Sequence, residues 1–258
     1  MSNKRNFSDL DFEEKLNDFY ENFEEFKKIT EKIIKKTRLI EKSITVVPRA
    51  ITFAGTIGSG KTTCTKIFEK FLKDNGYKVK RMIEVSMQIP NALNLFYETK
   101  NGLFFQQVIT DKYKQVIDEI NELEDYHYIL IDRGFKEIEI FTDLIIKDKK
   151  SKEYLKKQRD LIAFKLQNDI IFVNPTKKTA IERKKARNRL WEKCDEEYLS
   201  ELYDKYEEYI PKIYQKYTVF NNDAYICKDC CELKECNDEN CNIRKYYNFF
   251  SIFLKQYE

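Results

Sequence analysis

Residues 55–62 carry the sequence GTIGSGKT, in which glycines precede a lysine and a threonine. The glycines allow a tight turn whose backbone N–H groups point inward, the arrangement that binds phosphate oxygens. The lysine of such a loop reaches the β- and γ-phosphates of a nucleotide, and the hydroxyl that follows it is a ligand for Mg²⁺. The segment therefore predicts a binding loop for ATP and Mg²⁺. Its predicted members are Gly55, Thr56, Ile57, Gly58, Ser59, Gly60, Lys61, Thr62 and Thr63, with Thr62 as a metal ligand.

An aspartate follows the apolar run YILI at residues 128–131. A strand that ends in aspartate is typical of the residue that holds Mg²⁺, directly or through water, beside a phosphate-binding loop. Asp132 is predicted to take this role. Because a guanidinium group suits phosphate oxygens, the adjacent Arg133 is predicted to contact them as negative charge develops.

The segment TAIERKKARNRLWE, residues 179–192, is rich in arginine and follows the fourth predicted strand. Arg183 and Arg187 share one helix face, and Arg189 follows where the helical pattern runs into a loop. An arginine lid at this position would close over the phosphate loop and neutralise the transferring phosphoryl group. The alternative is a solvated basic helix face.

Together these segments resemble the deoxynucleoside kinases, a family related to the thymidylate kinases, over residues 50–220. That family carries a glutamate at the end of its second strand, and Glu84 in RMIEV matches it. The resemblance implies that Glu84 takes the proton from the 5′-hydroxyl of the acceptor. It also implies that Tyr97 contacts the sugar 3′-hydroxyl and that Gln106, in FYETKNGLFFQQ, pairs with the edge of the base.

The family's lid pattern, R-x-x-x-R-x-R followed by glutamate, is similar to residues 183–192 of this chain. The resemblance implies that Glu192 binds the 3′-hydroxyl. Other positions depart from the family. Asp132-Arg133-Gly134 stands where many nucleoside kinases have Glu-Arg-Ser, and the aspartate is also typical of thymidylate kinases. The family's base-contacting aspartate and arginine would fall near Ile138 and Tyr113.

The acceptor can also be inferred from chemistry. A neutral hydroxyl needs a general base near the γ-phosphate, whereas a monophosphate acceptor needs a cation at the second strand end. This chain has Glu84 followed by Val85 and Ser86, without an arginine directly after the strand. We therefore expect ATP-dependent phosphorylation of a (deoxy)nucleoside at its 5′-hydroxyl, in nucleotide salvage. The alternatives are a thymidylate-like nucleoside monophosphate kinase and a non-catalytic nucleotide-binding regulatory module.

These residues require a fold that collects strand ends at one edge. From residue 49, short apolar runs alternate with helical patterns, which is typical of a parallel sheet covered by helices. The predicted fold class is α/β, a P-loop kinase fold with a five-stranded parallel sheet flanked by helices. Predicted strands are residues 50–54, 78–84, 128–131, 169–173 and 217–220. The helices between them are predicted to begin near Lys61, Pro90, Thr110, Thr176 and Asp195.

Two further segments flank this core. Residues 1–47 are predicted to be an amphipathic helical extension, either packed on the kinase body or forming a dimerising coil, and residues 48–258 the kinase domain. A cysteine-rich insert at 227–241 precedes a C-terminal helix. Its residues Cys227, Cys230, Cys236 and Cys241 could complete a tetrahedral Zn²⁺ site. An unliganded surface insert and a redox sensor are the alternatives.

The charge composition gives no support for two classes of partner, nucleic acids and membrane surfaces. The 258 residues include 47 Lys and Arg against 44 Asp and Glu, a net charge of +3, which gives no reason to expect a nucleic-acid or membrane-surface partner. The absence of a signal peptide and of a long apolar run leads us to expect a cytoplasmic protein. The resemblance implies a small-molecule nucleoside partner. The resemblance adds the expectation of a homodimer.

Overall fold

The computed structural model describes residues 28, 47–187, 194–231, 233, 238–239 and 241–256. The chain divides into two units, Met1–Thr45 and Val46–Glu258. In the first unit only Lys28 is described, and it is helical and exposed. The helix predicted over residues 1–47 otherwise lies outside the described residues, so it stays a prediction.

Five parallel strands form one sheet in the order β2-β3-β1-β4-β5. They are β1 (Arg49–Ala54), β2 (Val79–Met82), β3 (Tyr128–Asp132), β4 (Asn168–Val173) and β5 (Thr218–Phe220). The central strands are apolar on both faces because helices cover both faces of a parallel sheet. Phe53 of β1 is in register with Asp132 of β3. The phosphate loop that follows β1 therefore begins beside the residues that follow β3, at the edge where ligands bind in such sheets.

Nine α-helices and two 3₁₀ turns connect and extend the strands in the described part of the chain. The helices are α1 (Lys61–Asp74), α2 (Pro90–Thr99), α3 (Gly102–Asn121), α4 (Ile138–Ile145), α5 (Lys149–Asp160), α6 (Lys177–Arg187), α7 (Glu196–Ile213), α8 (Lys228–Cys231) and α9 (Ile243–Lys255). The 3₁₀ turns are Val85–Gln88 and Phe135–Glu137. None of the described helices is both long enough and apolar enough to cross a membrane.

The predicted α/β class and the five parallel strands are confirmed, two predicted details are wrong, and two helices were missed. The helix expected to begin near Thr110 begins at Gly102, because the Asn101 side chain caps it by accepting the backbone N–H of Phe104 at 3.1 Å. The second strand ends at Met82 rather than at residue 84, because the chain turns into the 3₁₀ segment. Helices α4 and α5 were not predicted within the crossover from β3 to β4.

Aromatic side chains join α1, the helix after the phosphate loop, to the C-terminal helix α9. Phe250 of α9 stacks on Phe68 of α1 with ring centroids 4.2 Å apart, and Phe253 meets the same ring edge-on. All three side chains are almost fully buried against the sheet. The position of α1 therefore depends on α9, although α9 is the last element of the chain.

We expect Phe250→Ala to lower the free energy of unfolding by about 3–5 kcal/mol, because it leaves a cavity between α1 and α9. Ile252 lies on the same helix with 64% of its surface exposed. The matched control Ile252→Ala should change the free energy by about 0.5 kcal/mol or less. Urea denaturation measures both variants. Equal losses in the two would contradict the packing described here.

Candidate active site

The phosphate loop adopts a backbone that its glycines make possible. Gly58 and Gly60 have φ angles of 82° and 92°, in the left-handed region. A Cβ atom at Gly58 would lie 2.1 Å from the carbonyl oxygen of Ala180, and one at Gly60 would lie 2.6 Å from Asn222 Nδ2. The loop thus lies tightly against α6 and against the segment after β5. Other side chains at these two positions would push the loop away from both.

Lys61 begins α1 and folds back across the loop. Its Nζ donates to the carbonyl oxygen of Thr56 at 2.8 Å, and the side chain is buried. Burial, together with repulsion from Arg133, lowers the pKa of Lys61 to about 8. A cation held under these conditions gains stability from a nearby anion, as the phosphates of a nucleotide would provide.

The residues predicted to hold magnesium are in direct contact. Thr62 Oγ1 donates to Asp132 Oδ2 at 2.6 Å. The other carboxylate oxygen of Asp132 is buried and has no hydrogen-bond partner among the described residues. Burial raises the pKa of Asp132, and the charge of Glu84 adds to the rise. Because a hydroxyl and a buried carboxylate oxygen are ligands that Mg²⁺ accepts, the residues present fit this ion.

Arg133 connects the acidic residues of the site. It has a φ of 74° directly after β3, and its guanidinium group is buried. Its Nε donates to Glu84 Oε1 at 3.0 Å, and its Nη1 donates to the Tyr206 hydroxyl and lies 3.9 Å from Glu137 Oε2. The guanidinium also lies 4.9 Å from the ring centroid of Phe141, a cation–π contact.

Glu84, two residues after β2, is held in the cavity by two donors. Besides Arg133, Ser86 Oγ donates to its Oε1 at 3.0 Å. Burial by itself would raise the pKa of Glu84, but the charges of Arg133 and Lys61 outweigh it and lower that pKa to about 2. Glu84 is therefore ionised at neutral pH, with its charge balanced by two cations.

Glu137 supports the site, although the sequence did not point to it as a site residue. Its carboxylate is fully buried and accepts the backbone N–H groups of Gly55 at 3.1 Å and Gly134 at 2.7 Å. Burial raises the pKa of Glu137, while Arg133 partly offsets that rise. Glu137 thereby joins the start of the phosphate loop to the turn after β3. Its position in RGFKE, four residues after the arginine, was the available signal.

A cavity of about 290 Å³ opens beside the phosphate loop. Three charged residues, Lys61, Glu84 and Arg133, line part of it. Much of the remaining lining is apolar and consists of Leu93, Phe96, Phe105, Ile109, Ile138, Phe141 and Ile145. This is the general character of a small-molecule site, with a few polar groups at defined positions in an apolar wall.

The residues predicted to bind the nucleoside line this cavity where the structure describes them. Tyr97 and Gln106 both line it. The side chain of Gln106 is almost fully buried, and its Oε1 accepts from Thr142 Oγ1 at 3.4 Å. Arg159 Nη1 in turn donates to Thr142 Oγ1 at 3.2 Å. The predicted Glu192 lies outside the described residues.

The two family positions for base contacts, Ile138 and Tyr113, also line the cavity. The Tyr113 hydroxyl donates to the carbonyl oxygen of Arg133 at 3.2 Å. The acids that flank Ile138 in sequence lie elsewhere, because Glu137 binds the loop backbone and Glu139 is exposed. Neither acid beside Ile138 therefore lines the cavity.

The predicted lid arginines occupy different places. Arg187 lines the cavity. Arg183, one helical turn earlier, donates through Nη1 to the carbonyl oxygen of Asn222 at 2.7 Å and through Nη2 to that of Ala224 at 2.9 Å. Its Nη1 also lies 3.4 Å from the carbonyl oxygen of Ser59. The structure thus places Arg183 against the phosphate loop and the segment after β5 rather than in the lining of the cavity, and the predicted Arg189 lies outside the described residues.

Three of the four predicted zinc ligands come together away from the cavity. The Sγ atoms of Cys227, Cys230 and Cys241 lie within 4.8 Å of one another. The fourth predicted ligand, Cys236, lies outside the described residues.

The chain matches a known protein family over most of its length. The family described as deoxynucleoside kinase matches residues 51–250. A search of curated proteins found no match. The fold is similar to that of M. mycoides deoxyadenosine kinase with products dCMP and a flexible dCDP bound, at 20% identity and a TM-score of 0.59, over 80% of this chain and 99% of that one. The same enzyme with bound dATP matches at 22% identity and a TM-score of 0.57, over 72% of this chain and 96% of that one.

We expect Arg133→Met to lower the free energy of unfolding by about 3–5 kcal/mol, because the buried carboxylate of Glu137 and the partly buried carboxylate of Glu84 lose their cation. The matched control is Lys136→Met, an exposed position in the following turn, with an expected change of about 0.5 kcal/mol or less. Chemical denaturation at neutral pH measures both. A loss at Arg133 no larger than that at Lys136 would contradict the ion pairing described above.

Proposed function

This chain belongs to the deoxynucleoside kinase family, and from this premise we propose that it transfers the γ-phosphoryl group of ATP to the 5′-hydroxyl of a deoxynucleoside, in nucleotide salvage. The observation that carries the proposal is the position of Glu84. A partly buried, ionised carboxylate lines the same cavity as the phosphate-loop lysine, where it can serve as the base that a neutral hydroxyl needs. A phosphate acceptor would meet this negative charge at close range.

The residues divide the work of phosphoryl transfer. The loop N–H groups and Lys61 bind the donor phosphates, and Arg133 and Arg187 line the space in which negative charge develops. Thr62 and Asp132 would hold Mg²⁺, which when bound neutralises phosphate charge. Glu84 accepts the proton of the 5′-hydroxyl as that oxygen forms its bond to phosphorus. The bond between the γ-phosphorus and the bridging oxygen breaks, and ADP leaves with the electron pair.

A pKa of about 2 makes Glu84 a weak base while the donor site is without phosphate. That low pKa arises from the charges of Lys61 and Arg133. Donor phosphates would neutralise part of this positive charge, so the pKa of Glu84 would rise toward the range in which a carboxylate is an efficient base. Binding of the donor would thereby prepare the base.

The acceptor side of the proposal rests on the cavity and on the relatives. Tyr97 and Gln106 line the space beyond Glu84, and aromatic rings on its walls suit a flat base. The similar M. mycoides enzyme holds deoxynucleotides, among them dCMP, dATP and dCTP. Both observations support a deoxynucleoside as acceptor.

A panel of acceptors tests the function. We expect ADP to form from ATP in the presence of deoxynucleosides and not in the presence of their 5′-monophosphates, because Glu84 repels an anionic acceptor. The measurement is coupled detection of ADP together with identification of the product by mass. Turnover of monophosphates alone would support the thymidylate-like alternative. Binding of ATP without turnover of any acceptor would support a regulatory module.

We expect Glu84→Gln to lower kcat by about 10²–10⁴-fold, because the amide retains the shape of the side chain and cannot accept the proton. Glu139→Gln makes the same chemical change at an exposed position outside the cavity and should leave kcat near wild type. Turnover is measured with ATP and the preferred deoxynucleoside both saturating. Wild-type turnover in the Glu84 variant would remove the proposed base.

A further inference from the structure

Three cysteine thiols converge on one point between β5 and α9. Cys227 and Cys230 form a C-x-x-C pair that overlaps the short helix α8, and Cys241 comes from the chain just before α9. Their Sγ atoms lie within 4.8 Å of one another, and those of Cys230 and Cys241 are 3.5 Å apart. Cys227 and Cys230 are buried, with 4% and 5% of their surface exposed.

Convergence of three sulfurs favours a metal ion over a disulfide. A disulfide uses two sulfurs and leaves the third beside it without a bond, whereas a tetrahedral metal ion uses all three. With a Zn–S distance of ~2.3 Å, two sulfurs on a tetrahedral ion lie roughly 3.8 Å apart. The 3.5 Å separation of the Cys230 and Cys241 sulfurs is close to this spacing.

Backbone N–H groups already point at two of the sulfurs. The N–H of Cys230 donates to Cys227 Sγ, and the N–H of Cys227 donates to Cys241 Sγ, both at 3.4 Å. Such donors orient a thiolate ligand and stabilise its charge. A sulfur-only set selects Zn²⁺ over the hard cations Mg²⁺ and Ca²⁺.

We propose that Cys227, Cys230 and Cys241 bind one structural Zn²⁺ ion. The proposal rests on these three sulfurs, because Cys236, the fourth ligand predicted from the sequence, lies outside the described residues. None of the three described ligands lines the cavity, so the role of the ion is in folding and not in phosphoryl transfer.

The ion would hold a segment that supports the phosphate loop from behind. Asn222 Nδ2 donates to the carbonyl oxygen of Ser59 at 2.7 Å, and its Oδ1 accepts from the hydroxyl of Tyr246 in α9. The chain between these two supports, residues 223–245, contains the cysteine-rich insert 227–241. It is also closed by the N–H of Asn242, which donates to the carbonyl oxygen of Tyr225 at 2.9 Å. Tying both ends of the insert together removes loop freedom from the unfolded chain, so metal binding stabilises the fold.

Metal content of the purified full chain tests the proposal. We expect one zinc per chain by elemental analysis after expression with zinc and purification without chelators. Cys227→Ser and Cys241→Ser should each lose that zinc. Cys194→Ser, the same change at a cysteine outside the cluster, should retain it. Zinc retained in both cluster variants would overturn the proposal.

The wild-type chain supplies a test that does not depend on folding of the variants. Removal of zinc with a chelator should lower the Tm, and added Zn²⁺, but not Mg²⁺, should restore it. Co²⁺ added to the zinc-free chain should give the thiolate charge-transfer and tetrahedral visible bands of a sulfur-rich site. A chain with neither zinc nor these cobalt bands would overturn the proposal, as would loss of two of the seven thiols to a disulfide in the untreated protein.

Discussion

The guanidinium group of Arg133 lies between the carboxylates of Glu84 and Glu137, and these acids belong to different parts of the fold. Glu84 follows β2, while Glu137 holds the first N–H of the phosphate loop. A hydrogen bond to Tyr206 adds α7 to the same contact. Placing a charge in the interior costs several kcal/mol unless its partners surround it. Each of these elements must therefore be in place before Arg133 is accommodated.

The charges in this cluster also shift the pKa values of Lys61 and Glu84. Lys61 and Arg133 repel each other, which contributes to the lowered pKa of Lys61, and both lower the pKa of Glu84. A bound phosphate anion would attract both Lys61 and Arg133. It would thereby reduce their mutual repulsion and weaken the effect of each cation on the pKa of Glu84. If Glu84 is the base, as proposed above, donor binding and preparation of the base are two consequences of one redistribution of charge.

A feature of the fold or the site could be predicted from the sequence when the interactions that determine it are between residues close together in the chain. GTIGSGKT and the aspartate after YILI act through turn geometry and strand ends, so sequence alone identified them and the parallel sheet. Arg183 and Arg187 are equivalent in sequence terms, four residues apart on one helix face. Only tertiary structure distinguishes them, because the carbonyl oxygens of the segment after β5 lie next to Arg183. The support from Glu137 depended equally on a contact distant in sequence.

The cavity residues that would contact a base are also set by tertiary contacts, and they bear on base specificity. Family positions that elsewhere carry an acid and an arginine are here Ile138 and Tyr113, and the Tyr113 hydroxyl donates to the backbone of Arg133. Gln106, oriented by Thr142, supplies a polar group to the cavity wall among the described residues. Apolar walls discriminate weakly between ligands of similar size, whereas a buried polar group left unpaired is costly. As far as the described residues show, selection among bases would then depend on the fit of ring size to the aromatic walls and on the amide of Gln106.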